Sequence, residues 1–187
     1  MASAQKSPIE ELHQRPGFLI RRAHQIAVAL FLEETGALGI TNTQYGILLV
    51  LKNRPGVDQI SVAKLLGLDR STTGMVLGKL ETAGLIGRHV EKEDRRRRNL
   101  ALTPAGARVL EQLAGPARRA QVRVLSAFTP EEQAAFLGLL DKFVGKFNGS
   151  TRVPLDARQR VNNERVDSRT RRVPRVKAIH SKGQSVK

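Results

Sequence analysis

The stretch that decides the fold is residues 59–103, QISVAKLLGLDRSTTGMVLGKLETAGLIGRHVEKEDRRRRNLALT. Its first part predicts two helices joined by a tight turn. Val62 and Leu66 share one helical face, and Gly67 follows where the chain must turn sharply, because glycine tolerates a positive φ. Asp69 can accept hydrogen bonds from the free amides of the next helix. Such a pair of helices predicts a helix-turn-helix, whose second helix enters the DNA major groove.

The second part predicts a β-hairpin, or wing. Residues 85–91 alternate between apolar and polar side chains, and residues 100–103 can form the partner strand. Four consecutive arginines lie between them, and an arginine tip suits the negative potential of a minor groove. The wing residues that we expect at the DNA are Asp94, Arg95, Arg96, Arg97 and Arg98.

The second helix of the motif is predicted to be a recognition helix. Val76 and Leu80 attach it to the core, which leaves a polar side for DNA. Hydroxyls and lysine commonly contact phosphates, and Arg70 is the best candidate for reading guanine. The residues predicted to face DNA are Arg70, Ser71, Thr72, Thr73 and Lys79. The alternative for this side is a solvated helix face.

The composition favours a polyanionic partner. The 187 residues include 32 Lys and Arg against 17 Asp and Glu, so the formal net charge is +15. Nucleic acid and an anionic membrane surface both suit such a charge. The absence of cysteine excludes disulfides and thiolate nucleophiles. No phosphate-binding glycine loop, dinucleotide fingerprint or metal-ligand spacing occurs, so we expect no enzyme, cofactor or metal.

The chain carries no signal for the membrane. The polar N-terminal residues do not resemble a signal peptide, and the longest apolar run is far shorter than the ~20 residues of a membrane span. We therefore expect a cytoplasmic protein with no membrane partner.

Further helices flank the motif. Apolar residues at helical spacing predict one over about 16–36, and Thr41 or Thr43 can cap another over about 43–52. Thr103-Pro104 opens a long helix, in which Gly115-Pro116 predicts a kink or break before it resumes over 118–128. Thr129 followed by Pro130 and two glutamates predicts the start of the last helix. The expected fold class is mainly α with a small β-wing.

The last part of the chain changes character. Residues 149–187 hold eleven cations and three anions but no sustained apolar pattern, which predicts a disordered or partner-ordered basic tail. The full predicted organisation is a flexible N-terminus (1–15), a dimerisation helix (16–40), a winged helix-turn-helix DNA-binding domain (41–103), dimerisation helices (104–148) and the tail (149–187).

Apolar faces at the two ends of the sequence predict a homodimer. A second copy would bury both faces and would place two recognition helices ~34–36 Å apart, about one turn of DNA. The alternative is packing within one chain. The predicted interface residues are Ile26, Leu30, Leu137, Leu140 and Val144.

The order of elements and four short segments resemble one known family. The segments are LDRST (68–72), LETAGLI (80–86), DRR (94–96) and LALTPAG (100–106). Together they resemble the multiple-antibiotic-resistance regulator (MarR) family of bacterial transcription factors, over about residues 16–147. The resemblance implies an obligate dimer on an inverted-repeat operator, and repression that a small ligand relieves. It also implies that Asp94 orients Arg96, which reaches the minor groove.

The resemblance further implies an effector site between the first two long helices and the helix after the wing. The candidate effector-binding residues are Arg21, His24 and Tyr45. For His24 and Tyr45, the alternative is a partly buried structural role. A cation and a phenol beside apolar walls suit an aromatic carboxylate. Residues 55–59 together with 69–72 resemble the branch of the family whose members often sense aromatic acids, phenolics or their CoA thioesters. The predicted function is a ligand-responsive repressor that binds double-stranded DNA. The alternatives are a sequence-tolerant architectural DNA-binding protein and a basic RNA-binding protein.

Overall fold

The computed structural model describes residues 7–90 and 98–156. Within them lie seven α-helices and one two-stranded antiparallel sheet. The helices are α1 (Pro8–Gln14), α2 (Pro16–Thr35), α3 (Asn42–Asn53), α4 (Gln59–Leu66), α5 (Arg70–Thr82), α6 (Pro104–Leu125) and α7 (Pro130–Phe147), and the strands are β1 (Ile86–Val90) and β2 (Arg98–Leu102). Short 3-10 helices follow α2 and α7. The expected class, mainly helical with a small wing, is confirmed.

One hydrophobic cluster holds together the helix-turn-helix, the base of the wing and the first half of α6. Each element contributes a stripe of apolar residues at its own period, so the core follows from the helical and strand patterns of the sequence. The buried members are Ile40, Ile47, Leu48, Leu51, Val62, Val76, Leu77, Leu80, Leu85, Ile86, Leu100, Leu110 and Leu113.

A second, smaller cluster joins α2 to the other half of α6. Phe31 packs on Ala117 and Ala120, whose small side chains let the two helices approach closely. Ion pairs extend this contact: Arg119 Nε lies 2.7 Å from Glu34 Oε2, and Arg123 reaches both Glu33 and Glu34. Hydrogen bonds from Arg119 and then Arg123 lower the pKa of the Glu34 carboxyl. The second half of α6 is thereby attached to α2.

Helix α6 continues through Gly115 and Pro116, so the predicted break is wrong. Proline removes the amide that would bond the carbonyl four residues earlier, and its ring crowds that carbonyl. Leu113 and Ala117 are buried on either side of this pair, and their packing holds the helix continuous. The helix ends at Leu125 rather than near residue 128.

Residues 8–14 form a helix, although the sequence placed them in a flexible N-terminus. The reason is a capping box that the sequence analysis overlooked: Ser7 Oγ accepts from the Glu10 amide, and the Glu10 carboxylate accepts from the Ser7 amide at 2.6 Å. Pro8 occupies its favoured first position. The His13 ring also lies 4.8 Å from the ring of Phe18 on α2.

The predicted start of the basic tail at residue 149 is also wrong. Residues 148–155, here called the strap, fold back onto the helix-turn-helix and belong to the same structural unit as the rest of 7–155. Asn148 holds both ends of the strap, since its side chain bonds the amide and the carbonyl of Leu155. Residues 157–187 lie outside the described part of the chain.

Two apolar faces remain uncovered in a single chain. Among the described residues, α7 has no buried side chain, and Leu137, Leu140 and Val144 are exposed along it. Ile26 on α2 is also exposed, whereas Leu30 is half-buried. None of the helices within the described ranges is both long enough and apolar enough to cross a membrane.

A close contact fixes the start of α6. Thr103 Oγ1 accepts from the Gly106 amide and donates to the Gly84 carbonyl at 2.7 Å, while the Thr103 amide donates to the Leu85 carbonyl at 3.1 Å. A Cβ atom at residue 106 would overlap the Leu85 carbonyl oxygen. Only glycine therefore allows α6 to sit this close to the end of the helix-turn-helix.

Replacement of this glycine should be costly. We expect Gly106→Ala to lower the free energy of unfolding by about 3 kcal/mol, because backbone must move to admit the methyl group. Gly78→Ala in α5 is the matched control: nothing lies within 4 Å of its added Cβ, so better helix propensity should raise stability by about 0.5–1 kcal/mol. Urea denaturation measures both values, and equal effects would contradict the close contact.

Candidate DNA-binding surface

The turn between α4 and α5 has the geometry that the sequence predicts. Asp58 caps α4 by accepting from the amides of Ile60 and Ser61. The helix ends at Gly67, whose φ of +64° lies in the left-handed region that glycine tolerates. The Leu68 amide then donates to the Ala63 carbonyl at 3.0 Å and closes the turn. Helix α5 starts three residues after Gly67.

Asp69 fixes the first turn of α5. Its Oδ1 accepts from the Thr72 amide at 2.8 Å, and its Oδ2 accepts from the Thr72 hydroxyl at 2.7 Å. These bonds lower the pKa of the Asp69 carboxyl, so the group stays ionised at neutral pH. The amino-terminal end of α5 lies at the exposed surface, and it carries the positive end of the helix dipole.

The residues predicted to face DNA divide into two groups. Arg70, Ser71 and Lys79 are exposed. Thr72 is half-buried and its hydroxyl is engaged by Asp69.

The prediction for Thr73 is wrong. Its side chain is completely buried, and its hydroxyl donates to the Asp69 carbonyl at 2.8 Å. Helical spacing accounts for the burial, because residue 73 lies one helical turn before the buried residues Val76, Leu77 and Leu80.

Met75 is a surface residue that the sequence analysis missed. It is 57% exposed and lies midway between Ser71 and Lys79, four residues from each, so the three form one stripe along α5. An apolar side chain in a polar reading surface suits contact with the methyl group of thymine. The four-residue spacing could have revealed it from the sequence.

Gly74 leaves room for a side chain of α4 to contact the recognition helix. The Gln59 Nε2 atom donates to the Arg70 carbonyl at 3.4 Å, and a Cβ at residue 74 would lie 3.2 Å from that nitrogen. The glycine therefore leaves room for a side chain that ties α4 to the exposed end of α5. Gly78 has no such neighbour.

The wing is a regular antiparallel hairpin over its described part. Ile86 pairs with Leu102 and Val90 with Arg98. Its base is attached to the loop before α4, because the Leu100 amide donates to the Val57 carbonyl at 3.0 Å. The strands are confirmed. The predicted DNA-contacting residues Asp94, Arg95, Arg96 and Arg97 lie outside the described residues, as does the side chain of Arg98, and their role stays a prediction.

The three candidate effector-binding residues lie on two helices, with Arg21 and His24 on α2 and Tyr45 on α3. Arg21 is exposed and its guanidinium lies 5.0 Å from the centre of the Phe18 ring. His24 is exposed as well. Tyr45 is half-buried, with its ring 5.6 Å from that of Phe31. Phe31 lies two helical turns beyond His24, roughly 10 Å along the axis, so one chain alone does not gather the three residues around one point.

Comparison with known proteins identifies the family. A model described as "MarR family" matches residues 38–97. The chain is also 33% identical over 127 residues to a transcriptional regulatory protein assigned to the hcr operon of Thauera aromatica, covering 67% of this chain and 76% of that protein. The chain belongs to the MarR family.

Solved structures place the MarR-family fold in two functional settings. The transcriptional repressor CouR, solved on a 23-mer DNA duplex, is 28% identical with a TM-score of 0.67, covering 75% of this chain and 99% of that one. Bordetella bronchiseptica BpsR, whose DNA binding is regulated by 6-hydroxynicotinic acid, is 27% identical with a TM-score of 0.65, covering 70% and 94%. CouR from Rhodococcus jostii RHA1 has also been solved with p-coumaroyl-CoA. The protein is therefore a MarR-type transcriptional regulator with a winged-helix DNA-binding domain.

The exposed MarR-type recognition helix should divide its work between bases and phosphates. We expect Arg70→Ala to lower the ratio of operator to random-duplex affinity about 10-fold or more, because a bidentate contact to guanine is worth ~1–3 kcal/mol. Lys79→Ala should weaken both complexes alike and reduce the salt slope by about one per protomer. Fluorescence anisotropy at several salt concentrations, on an operator selected from genomic fragments, measures both effects. Arg22→Ala on α2 is the control, and equal losses of the affinity ratio from the Arg70 and Lys79 variants would contradict this division.

Proposed function

We propose that the protein is a homodimeric repressor that binds an inverted-repeat operator and releases it when a small aromatic effector binds. One observation carries the proposal: a capped, exposed recognition helix and a wing share one core, while the flanking helices α2 and α7 leave apolar faces uncovered. The first feature needs a DNA duplex. The second supports an interface with another copy of the chain.

The uncovered faces support the dimer. The rings of Phe143 and Phe147 lie 5.2 Å apart and tilted to each other on α7, and with Leu137, Leu140 and Val144 they expose a continuous row of apolar surface. Full burial of each such side chain is worth roughly 1.5–3 kcal/mol relative to exposure. Two copies related by a two-fold axis would bury the row twice and present two recognition helices to successive major grooves.

A charge placed in the row should separate the copies. We expect Leu140→Glu to convert the dimer to a monomer, because the carboxylate would be buried unpaired, and to weaken operator binding at least 100-fold while the helical circular dichroism stays. Leu49→Glu, at an exposed leucine of α3, is the matched control and should remain dimeric. Sedimentation velocity gives the oligomeric state, and footprinting should show two protected half-sites about 34–36 Å apart. A wild-type monomer, or a Leu140→Glu variant that stays dimeric, would contradict the proposal. An operator affinity no greater than that for random duplex would favour the architectural alternative.

Two observations support repression: the position of the DNA-binding surface and the known role of a related protein as a repressor. CouR is a repressor seen on duplex DNA. A dimer that covers two adjacent major grooves excludes other proteins from the same stretch of promoter. Effector binding would then act by favouring a dimer whose half-site spacing no longer matches the operator.

The chemistry of the groups on α2 and α3 supports an effector class. Arg21 supplies a cation, His24 an imidazole and Tyr45 a phenol, and Phe31 provides an aromatic wall beside Tyr45. These groups suit a planar ring that carries a carboxylate, and the regulator BpsR responds to 6-hydroxynicotinic acid. We assign an aromatic acid, a phenolic or the corresponding CoA thioester as the effector class.

Arg21 can be tested as the carboxylate partner. We expect 4-hydroxybenzoate to release the operator, and Arg21→Gln to raise the concentration needed by about 10-fold or more, since a charged hydrogen bond contributes ~1.5–3 kcal/mol. Operator affinity without effector should not change. Arg22→Gln, at the neighbouring exposed arginine, is the control. A release curve that Arg21→Gln leaves unchanged would remove Arg21 from the site.

A further inference from the structure

The strap forms a closed loop because Asn148 joins its two ends. Asn148 Nδ2 donates to the Leu155 carbonyl at 2.9 Å, and the Leu155 amide donates to Asn148 Oδ1 at 2.8 Å. The Thr151 hydroxyl donates to the Asn148 carbonyl at 2.9 Å and holds the middle of the loop. The strap therefore has a defined shape, although it contains no strand and no α-helix.

The strap lies on the turn of the helix-turn-helix and encloses a cavity there. A Cβ added at Gly67 would lie 3.3 Å from Leu155 Cδ2 and 3.8 Å from the Val153 carbonyl oxygen, so the strap and the turn are in close contact. Between the turn, the strap and the end of α7 lies a cavity of about 280 Å³. Because three separate segments form its walls, it is a cleft rather than one uncovered helix face.

Two walls of this cavity are apolar helix surfaces. Leu66, at the end of α4, forms one of them, and α3 supports it from behind, since a Cβ at Gly46 would lie 3.4 Å from Leu66 Cδ2. Phe143, Val144 and Phe147 form the wall on α7. Two aromatic rings beside aliphatic side chains suit the flat face of a ring compound.

The polar groups of the cavity exclude a charged ligand. None of the described residues that line it carries a charge. Both hydrogen-bonding atoms of the Asn148 amide are already used within the strap. The Thr151 hydroxyl spends its hydrogen on the Asn148 carbonyl, so its oxygen can still accept one bond. An ionised group would lose its water here without gaining a partner, whereas a single N–H or O–H donor could be satisfied.

We propose that this cavity is a binding site for a neutral compound of one or two rings with at most one hydrogen-bond donor. The size agrees, since an apolar cavity of about 150 Å³ already holds benzene and pockets for larger ligands begin near 300 Å³. Arg21, His24 and Tyr45 do not line it. The site is therefore separate from the proposed effector residues, whose chemistry suits a carboxylate, and it does not depend on the proposed function.

The first experiment compares a neutral and an anionic ligand of nearly the same shape, 1-naphthol and 1-naphthoate. The chain has no Trp and one Tyr, so the emission of the two probes can be followed with little interference. We expect 1-naphthol to bind one site per chain with a dissociation constant below about 100 μM. In the Arg21→Gln background, which removes the cation proposed to hold a carboxylate, 1-naphthol should bind as before and 1-naphthoate about 10-fold more weakly or worse.

The second experiment locates the site with Val153→Phe, whose added ring would occupy the cavity. Val153 belongs to neither hydrophobic cluster, so the core should stay intact. We expect 1-naphthol to bind about 10-fold more weakly or worse. Val122→Phe, at a 61% exposed valine of α6, is the matched control and should leave binding unchanged. Far-ultraviolet circular dichroism shows whether both variants keep their helices.

The third experiment opens the strap through Asn148→Ala. Loss of the two bonds to Leu155 should weaken 1-naphthol binding about 3- to 10-fold, because the wall formed by the strap is no longer held in place. Asn53→Ala, which removes a side-chain bond to the Leu49 carbonyl at the end of α3, is the matched control and should have no effect.

The remaining outcomes overturn the inference. No saturable binding of 1-naphthol, or equal losses from Val153→Phe and Val122→Phe, would show that the cavity is not the site. Binding lost in Arg21→Gln but kept in Val153→Phe would place the compound among the proposed effector residues instead. Binding by the Leu140→Glu variant alone would mean that a second copy fills the cavity. None of these measurements uses DNA, so their failure leaves the proposed function unaffected.

Discussion

The packing of α6 against the end of the helix-turn-helix determines the rest of the architecture. The Leu85 carbonyl accepts from the Thr103 amide, and Gly106 offers no side chain where that carbonyl lies. The same threonine bonds the Gly84 carbonyl and caps α6. Recognition helix, wing and long helix therefore meet at one junction that has no spare volume. A displacement of α6 must carry the DNA-binding elements with it.

The sequence predicted most of the elements because their signals are local. Asp69 and Thr129 each cap a helix, and Gly67 takes the left-handed conformation of the turn. Errors arose where tertiary packing outweighed a local signal. Buried neighbours keep α6 continuous through Pro116, and the buried stripe of α5 includes Thr73, whose hydroxyl donates to the Asp69 carbonyl. Helical spacing places Thr73 on the apolar stripe, but its hydroxyl favours an exposed position when the sequence is considered alone.

The DNA-binding surface could be predicted from the sequence more fully than the effector site. The exposed end of α5 follows from the cap and from helical spacing, and the same spacing identifies Met75. Helical spacing does not predict how the candidate effector-binding residues are arranged, because Tyr45 packs on Phe31 while Arg21 lies over Phe18. In the proposed dimer, their assembly would depend on elements far apart in sequence and on the second copy. The strap could not be predicted for a similar reason, since it depends on the contact between Leu155 and Gly67, which are far apart in sequence.

Pro116 gives the long helix an uneven bending stiffness. It has no amide hydrogen to offer the carbonyl of Gln112, and it stands between Leu113, in the core of the DNA-binding head, and Ala117, in the cluster on α2. From this point the helix runs about 18 Å to Pro104 at 1.5 Å per residue. That segment is a lever arm: a bend of roughly 10° at its pivot would swing the head by about 3 Å, close to the rise of one base pair.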